Sequence, residues 1–218
     1  MNIDKAKKLV RDTGIRLLKA GLIARSWGNI SQRIDEDHFV ITPTGRTYED
    51  LRPDEIVRVN RHDLTHVGRI KPSYEKGLHA AAYELRSDIG AVIHTHQLQA
   101  SVVAAAHREV PILDTEMKKI IGGPVYCTSY SLPGTKKLIR MAIEALDRSG
   151  SKAVLLANHG TLCIGKDMED AFNVALVLER VCKKFIEQEF LKISGKRSAS
   201  REAIREWYVQ NFGVEAKT

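Results

Sequence analysis

Two histidines one residue apart, His94-Thr95-His96, end the apolar run Ala91-Val92-Ile93. Alternate side chains of a strand share a face, so both imidazoles point to one side and can hold one metal ion together. A third histidine, His159, follows a second apolar run, 153–157, inside Asn158-His159-Gly160. Catalytic zinc sites take three protein ligands and keep one position open. A lone histidine is more often a satisfied surface or core group. Here an H-x-H at one strand end is matched by a histidine at another, which sets a shared metal site on an even footing with three structural histidines. Zinc is the expected ion. Manganese, cobalt and iron(II) are the alternatives, because imidazole and carboxylate suit several metals.

Ser73-Tyr74-Glu75 opens a helical pattern ahead of the histidine strand. A carboxylate in a first helical turn is favoured by the helix dipole alone. Beside a metal it serves as a fourth ligand or as a base. The Gly28-Asn29 and Thr44-Gly45 turns offer backbone N–H groups and short polar side chains. Such turns can cradle a phosphate without Arg or Lys.

The elements that must carry these residues follow from periodicity. Residues 4–20 predict a helix capped by Asp4, with Ala6, Leu9, Val10, Leu17 and Leu18 on its apolar face and Gly21 ending it. Residues 28–34 and 38–42 predict a hairpin turning at Asp35-Glu36-Asp37, and a third strand covers 55–60. Helices are expected at 73–86, with Ser73 as cap, and at 100–107, 136–148, 167–193 and 201–208. Strands are expected at 91–96 and 153–157. The irregular alternation fits one three-layer α/β/α domain over 1–218, around a central mostly antiparallel or mixed sheet. Residues 196–218 are expected to be a mobile C-terminal segment.

The 218 residues are 43% hydrophobic and 28% charged, enough apolar content for one substantial core. Net charge is +7. The densest basic stretch, Lys183 to Arg201, is interrupted by Glu187 and Glu189 and carries no DNA-reading motif. No nucleic-acid partner is expected, and 6% aromatic residues give no base-stacking surface. Three widely spaced cysteines form no pairing framework. No apolar run reaches the ~20 residues of a membrane span, and the N-terminus lacks an apolar leader core. The expectation is a cytoplasmic protein without a membrane partner.

Taken in order, the motifs resemble the class II aldolase/adducin family, and within it the fuculose-phosphate aldolase branch. They are Gly28-Asn29-Ile30-Ser31, Ile41-Thr42-Pro43-Thr44-Gly45, Pro72-Ser73-Tyr74-Glu75 with His79, and His94-Thr95-His96. Gly122-Gly123, Pro133-Gly134-Thr135 and Asn158-His159-Gly160 continue the pattern. The resemblance implies zinc on His94, His96 and His159, with Glu75 as acid/base and as resting-state ligand. It implies a sugar-phosphate substrate, with the phosphate at Asn29, Thr44, Gly45, Ser73 and Tyr74. It further implies cleavage of a ketose 1-phosphate in a homotetramer whose sites lie between subunits. Tyr208 is the counterpart of a C-terminal tyrosine reaching a neighbouring site. Three positions depart from the branch. Tyr74 replaces a second serine, and Trp27 before Gly28-Asn29 is similar to the epimerase branch. Asp114-Thr115-Glu116-Met117 stands where the branch carries a tyrosine proton donor, which makes Glu116 the candidate donor. Epimerases, dehydratases and decarboxylases of the same scaffold are the alternatives, followed by a non-catalytic adducin-like interaction protein.

Overall fold

A computed structural model describes residues 1–212. The first helix, α1 (Ile3–Lys19), is capped by Asn2 and not by the expected Asp4. The Asn2 side-chain oxygen accepts from the N–H groups of Asp4 and Lys5 at 2.9 and 3.2 Å. Asp4 is thereby left in the first turn, where its charge suits the helix dipole.

Six strands form one sheet: β1 (Asn29–Arg33), β2 (His38–Ile41), β3 (Val57–Asn60), β4 (Ala91–Thr95), β5 (Ala153–Leu156) and β6 (Gly160–Gly165). Their order is β3-β2-β1-β4-β6-β5, and each neighbouring pair is antiparallel. The remaining helices are α2 (Lys76–Leu85), α3 (Leu98–Ala105), α4 (Thr115–Ile120), α5 (Lys136–Ser149), α6 (Met168–Ser194) and α7 (Arg201–Phe212). Side-chain alternation divides the core between the two faces of the sheet. Ile30, Val40, Ile93, Leu155 and Cys163 pack with α1, α3, α4 and α6. Phe39, Ile41, Val92, Val154 and Leu162 pack with α2 and α5. This is the expected three-layer α/β/α arrangement, with the sheet wholly antiparallel.

A 3-10 turn at Pro53–Glu55 takes up the expected start of the third strand, which begins at Val57, and two further elements go beyond the sequence expectation. β6 is buried at all six positions, so it lacks the alternation that marks a half-buried strand, and glycines bound it. α4 is only six residues long, with Asp114 as its cap accepting from Met117 N–H at 2.9 Å.

The start of α2 is a correction. The helix begins at Lys76, and Glu75 stands at the cap position without capping it. Ser73 caps no helix; its Oγ accepts from Glu75 N–H at 3.3 Å, closing a tight turn. The Glu75 carboxylate is thus turned away from the helix axis toward the sheet.

The segment after β4 is clamped by α6. Glu179 accepts from the N–H groups of Gln99 and Ala100 at 2.8 and 3.1 Å, supplying the cap that α3 lacks from its own Gln97. Gln97 in turn donates to the carbonyl of Ala175 at 3.1 Å. α7 has no buried side chain, and 213–218 of the expected C-terminal segment lie outside the described residues. Among the described residues no helix is long and apolar enough to cross a membrane.

Candidate metal centre and adjoining cleft

His94 lies near the end of β4 on the α2/α5 face, opposite Asn29 of β1 and Leu162 of β6. Its Nδ1 is 2.7 Å from the Thr161 carbonyl. A carbonyl only accepts, so Nδ1 carries the hydrogen and Nε2 presents a lone pair. His96 follows the strand and places its Nε2 3.0 Å from that of His94. His159 occupies the three-residue turn between β5 and β6, where Leu156 faces Gly160 and Asn158 takes the left-handed conformation (φ 55°). One ligand nitrogen from each ring falls within 4.8 Å of the others.

Glycines make this convergence possible. A Cβ on Gly160 would lie 2.4 Å from the Thr95 carbonyl oxygen and 2.6 Å from the His96 ring. Gly28 has φ 104°, and a Cβ there would meet the His94 carbonyl oxygen at 2.7 Å. Both glycines permit a close approach to β4 that no side chain allows.

Glu75 completes the cluster. Its Oε2 lies 3.2 Å from His94 Nε2 and its Oε1 lies 3.4 Å from His159 Nε2. Asn29 Nδ2 donates to Oε2 at 2.8 Å. Glu75 is only 3% exposed, and Oε1 and both nitrogens of His159 lack hydrogen-bond partners. Burial, first of all causes, pushes His94 down to about 3, His159 to about 4, and His96 downward. The rings are therefore neutral, and none of them balances a buried carboxylate. A divalent cation fits these donors: it satisfies the orphaned atoms and neutralises Glu75. Nitrogens held about 2.0–2.1 Å from a tetrahedral zinc stand about 3.3 Å apart, close to the 3.0 Å between His94 and His96 Nε2.

A cleft of about 210 Å³ opens beside the cluster, and both Glu75 and His96 line it. Asn29, Thr44, Gly45, Ser73 and Tyr74 line the same cleft, with Trp27 and Gly28. Its polar lining includes no Lys or Arg among the described residues. Ser73 Oγ accepts from Glu75 N–H and keeps its own hydrogen to give. Thr44 differs: its hydroxyl donates to the Pro72 carbonyl at 3.0 Å and its N–H to the Lys71 carbonyl. Trp27 and Tyr74 are 59% and 63% exposed.

Two candidates are not brought to the cluster or cleft of their own chain. Glu116 is exposed on α4 and accepts from Arg180 at 2.6 Å. Tyr208 lies on α7, its ring 4.9 Å from that of Phe212. Other residues acquire a role that the sequence did not suggest. Thr161 fixes the His94 tautomer. Asn29, expected at a phosphate, lines the cleft and also holds Glu75. Ser31, His79 and Tyr83 form a hydrogen-bonded group behind Asn29. A signal was present in the spacing: 75, 79 and 83 repeat at four residues on a helix, and 29 and 31 at two on a strand.

The family model for the class II aldolase and adducin N-terminal domain matches residues 8–186. The chain belongs to this class II aldolase and adducin family. It is 34% identical over 181 residues to a 5-deoxy-D-ribulose 1-phosphate aldolase of Bacillus thuringiensis serovar kurstaki, covering 82% of this chain and 83% of that one. It is 31% identical over 193 residues to an L-ribulose-5-phosphate 4-epimerase (UlaF) of Salmonella typhi, covering 83% and 84%. Among solved structures, an L-fuculose 1-phosphate aldolase superposes with a TM-score of 0.80 at 28% identity, covering 96% of this chain and 97% of that one.

Proposed function

We propose that this chain is a metal-dependent aldolase. It cleaves a ketose 1-phosphate, fuculose 1-phosphate or a related deoxy-pentulose or pentulose 1-phosphate, into dihydroxyacetone phosphate and a short aldehyde. The observation that carries this reading is the position of Glu75, whose carboxylate touches His94 and His159 and also lines the cleft. His94, His96 and His159 would hold the ion, with Glu75 as a further ligand in the resting state. Zinc suits a three-imidazole set best, and manganese, cobalt or iron(II) can use the same donors. When bound, a divalent ion supplies Lewis acidity toward the substrate carbonyl oxygen.

The chain's own groups do the rest. In the cleavage direction Glu75 gives a proton to the carbon left beside the carbonyl, and takes it back in the reverse condensation, with Asn29 holding its orientation. Ser73 Oγ, the Gly45 backbone and Asn29 receive the phosphate as hydrogen-bond donors, Tyr74 adds its hydroxyl at the rim, and Thr44 must first release Pro72. The group that takes the proton from the hydroxyl becoming the aldehyde, and donates it back to the aldehyde oxygen in condensation, would come from a neighbouring copy in a homotetramer, with Glu116 and Tyr208 as candidates. Three free cysteines suit a reducing compartment, which supports a cytoplasmic setting.

The test is a retro-aldol assay on fuculose, ribulose and xylulose 1-phosphates, with and without a chelator. Triose phosphate should appear with metal, vanish with chelator and return on adding zinc. Turnover untouched by complete metal removal would end the metal-dependent reading. A 4-epimerase is the second reading, favoured by Trp27 in the cleft lining and by the epimerase relative. The same panel, extended to ketose 5-phosphates and read for epimer, water loss or carbon dioxide, separates epimerase, dehydratase and decarboxylase. A protein that binds no metal and turns over nothing returns the adducin-like alternative.

A further inference from the structure

Behind Glu75, helix α2 and strand β1 interleave five polar side chains. Four helical residues rise about 6 Å and two strand residues about 6.6 Å, so a ladder at 75, 79 and 83 can mesh with one at 29 and 31. The order in space is Glu75, Asn29, His79, Ser31, Tyr83. The links are 2.8 Å (Asn29 Nδ2 to Glu75 Oε2), 2.5 Å (His79 Nε2 to Asn29 Oδ1), 2.6 Å (Ser31 Oγ to His79 Nδ1) and 2.6 Å (Tyr83 hydroxyl to Ser31 Oγ). All five residues are at most 5% exposed, so water does not compete for these bonds.

One end sets the direction of the whole chain. An ionised Glu75 only accepts, so Asn29 turns its amide nitrogen to it and its oxygen to His79. His79 must then donate through Nε2, which leaves Nδ1 to accept from the Ser31 hydroxyl. Ser31, having given its hydrogen, accepts from Tyr83. Remove the imidazole, and the Asn29 oxygen loses its buried donor, so the amide is held from the carboxylate side alone and is free to tilt out of line with Glu75.

We propose that His79 is a positioning residue for the reaction assigned above: it locks the Asn29 amide and, through it, the rotamer of Glu75. His79 belongs neither to the histidine cluster nor to the cleft lining, and reaches them only through Asn29. This inference rests on the aldolase reading for its kinetic effect but not for its hydrogen bonds.

The test compares His79→Leu, His79→Gln, Ser31→Ala and Asn29→Ala in the zinc-loaded protein. His79→Leu should lower kcat by roughly 10–100-fold, the usual effect of removing such a supporting bond. The fall in kcat should exceed any rise in KM, since the lock acts first on the proton transfer by Glu75 and only one of several phosphate donors shifts with it. His79→Gln keeps a donor and an acceptor and should recover most of the loss. Ser31→Ala, which adds no bulk, should give a smaller loss in the same direction and stands in if His79→Leu fails to fold. Combining His79→Leu or Ser31→Ala with Asn29→Ala should cost little beyond Asn29→Ala alone. Losses that multiply, or a Gln variant no better than Leu, overturn the proposal. If the parent turns over none of the ketose phosphates, the aldolase reading has failed and imidazole ¹⁵N shifts decide the relay. His79 should then show a protonated Nε2 and a bare Nδ1 from about pH 5 to about pH 8, a lock relaxed in Asn29→Ala. A tautomer mixture in the parent refutes it.

Discussion

Replacing Gly160 by alanine probes how the metal centre depends on the spacing of β4 and β6. The new Cβ would lie 2.4 Å from the Thr95 carbonyl oxygen, a backbone atom without rotamer freedom. Ordinary contact begins near 3.4 Å, so the β5–β6 turn must retreat from β4 by about 1 Å. Thr161, the next residue, holds His94 Nδ1 at 2.7 Å. The same retreat would stretch that bond to about 3.7 Å, beyond useful hydrogen-bond range. His159, one residue before, would be carried away from His94 and His96. Overpacking of this kind costs about 1–3 kcal/mol. In a chain of this size that lowers Tm by about 2–12 °C. Loss of the Thr161 bond should weaken metal binding roughly 10–100-fold. Thermal unfolding of metal-free protein and competition against a chelating dye measure the two effects separately. Gly77→Ala is the control: its Cβ meets only side-chain tips, Ile139 Cδ1 at 3.1 Å and Leu64 Cδ1 at 3.6 Å, which can give way as no backbone carbonyl can, so metal affinity should stay at the parent's. A Gly160→Ala protein with the parent's Tm and metal affinity would refute the close-approach argument.

Glu75→Gln should retain most of its metal and lose at least roughly a hundredfold in kcat. Parental turnover would remove Glu75 from the chemistry. His159→Ala should lose metal and activity together, and full zinc by elemental analysis would contradict its assignment as a ligand. Metal-free protein should weaken in acid. His79 and His94 are pushed down to about 3 and His159 to about 4, chiefly by burial, while an unfolded histidine titrates near 6.5. The unfolded chain therefore binds more protons below about pH 6.5, so stability is full above that and falls toward about pH 3–4. Urea midpoints at about pH 7.5 and about pH 5 should differ in that direction, less so in His79→Gln, and equal midpoints would refute the sign. Trypsin should cut first among Lys196, Arg197 and Arg201, which flank the stretch before α7; initial cleavage within α5 or α6 would contradict a loosely held C-terminus.

Those features written as local spacing were legible in the sequence. His94-Thr95-His96 shows its strand parity directly, and Ala153 to Ala157 announces the strand that delivers His159. The layered fold follows from the alternation of apolar strands and amphipathic helices. What was hidden depends on register between elements. Nothing near Asn29 in the chain reveals that it stands opposite His94, and only the pairing of β1 with β4 turns it toward Glu75. β6 escaped notice because burial on both faces erases the two-residue period. Glu75 was placed in a helical turn by propensity, but tertiary bonds to Asn29 and contacts with two histidines outweigh a cap worth about 1 kcal/mol.

The division between rigid and adjustable parts bears on which reaction the scaffold performs. His94 is completely buried, tied to Thr161, and flanked by Gly28 and Gly160, which tolerate no added carbon. A substitution there disturbs any metal-dependent chemistry alike, so the cluster defines the class of reaction and not its substrate. Trp27 and Tyr74 line the cleft but are more than half exposed. Exchanging such side chains changes cleft shape and hydroxyl count at little cost to the core. They are also two of the positions where this chain departs from the fuculose-phosphate pattern. Discrimination between ketose phosphates, and between carbon–carbon cleavage and epimerisation, should therefore respond to Trp27 and Tyr74 while the metal centre stays intact.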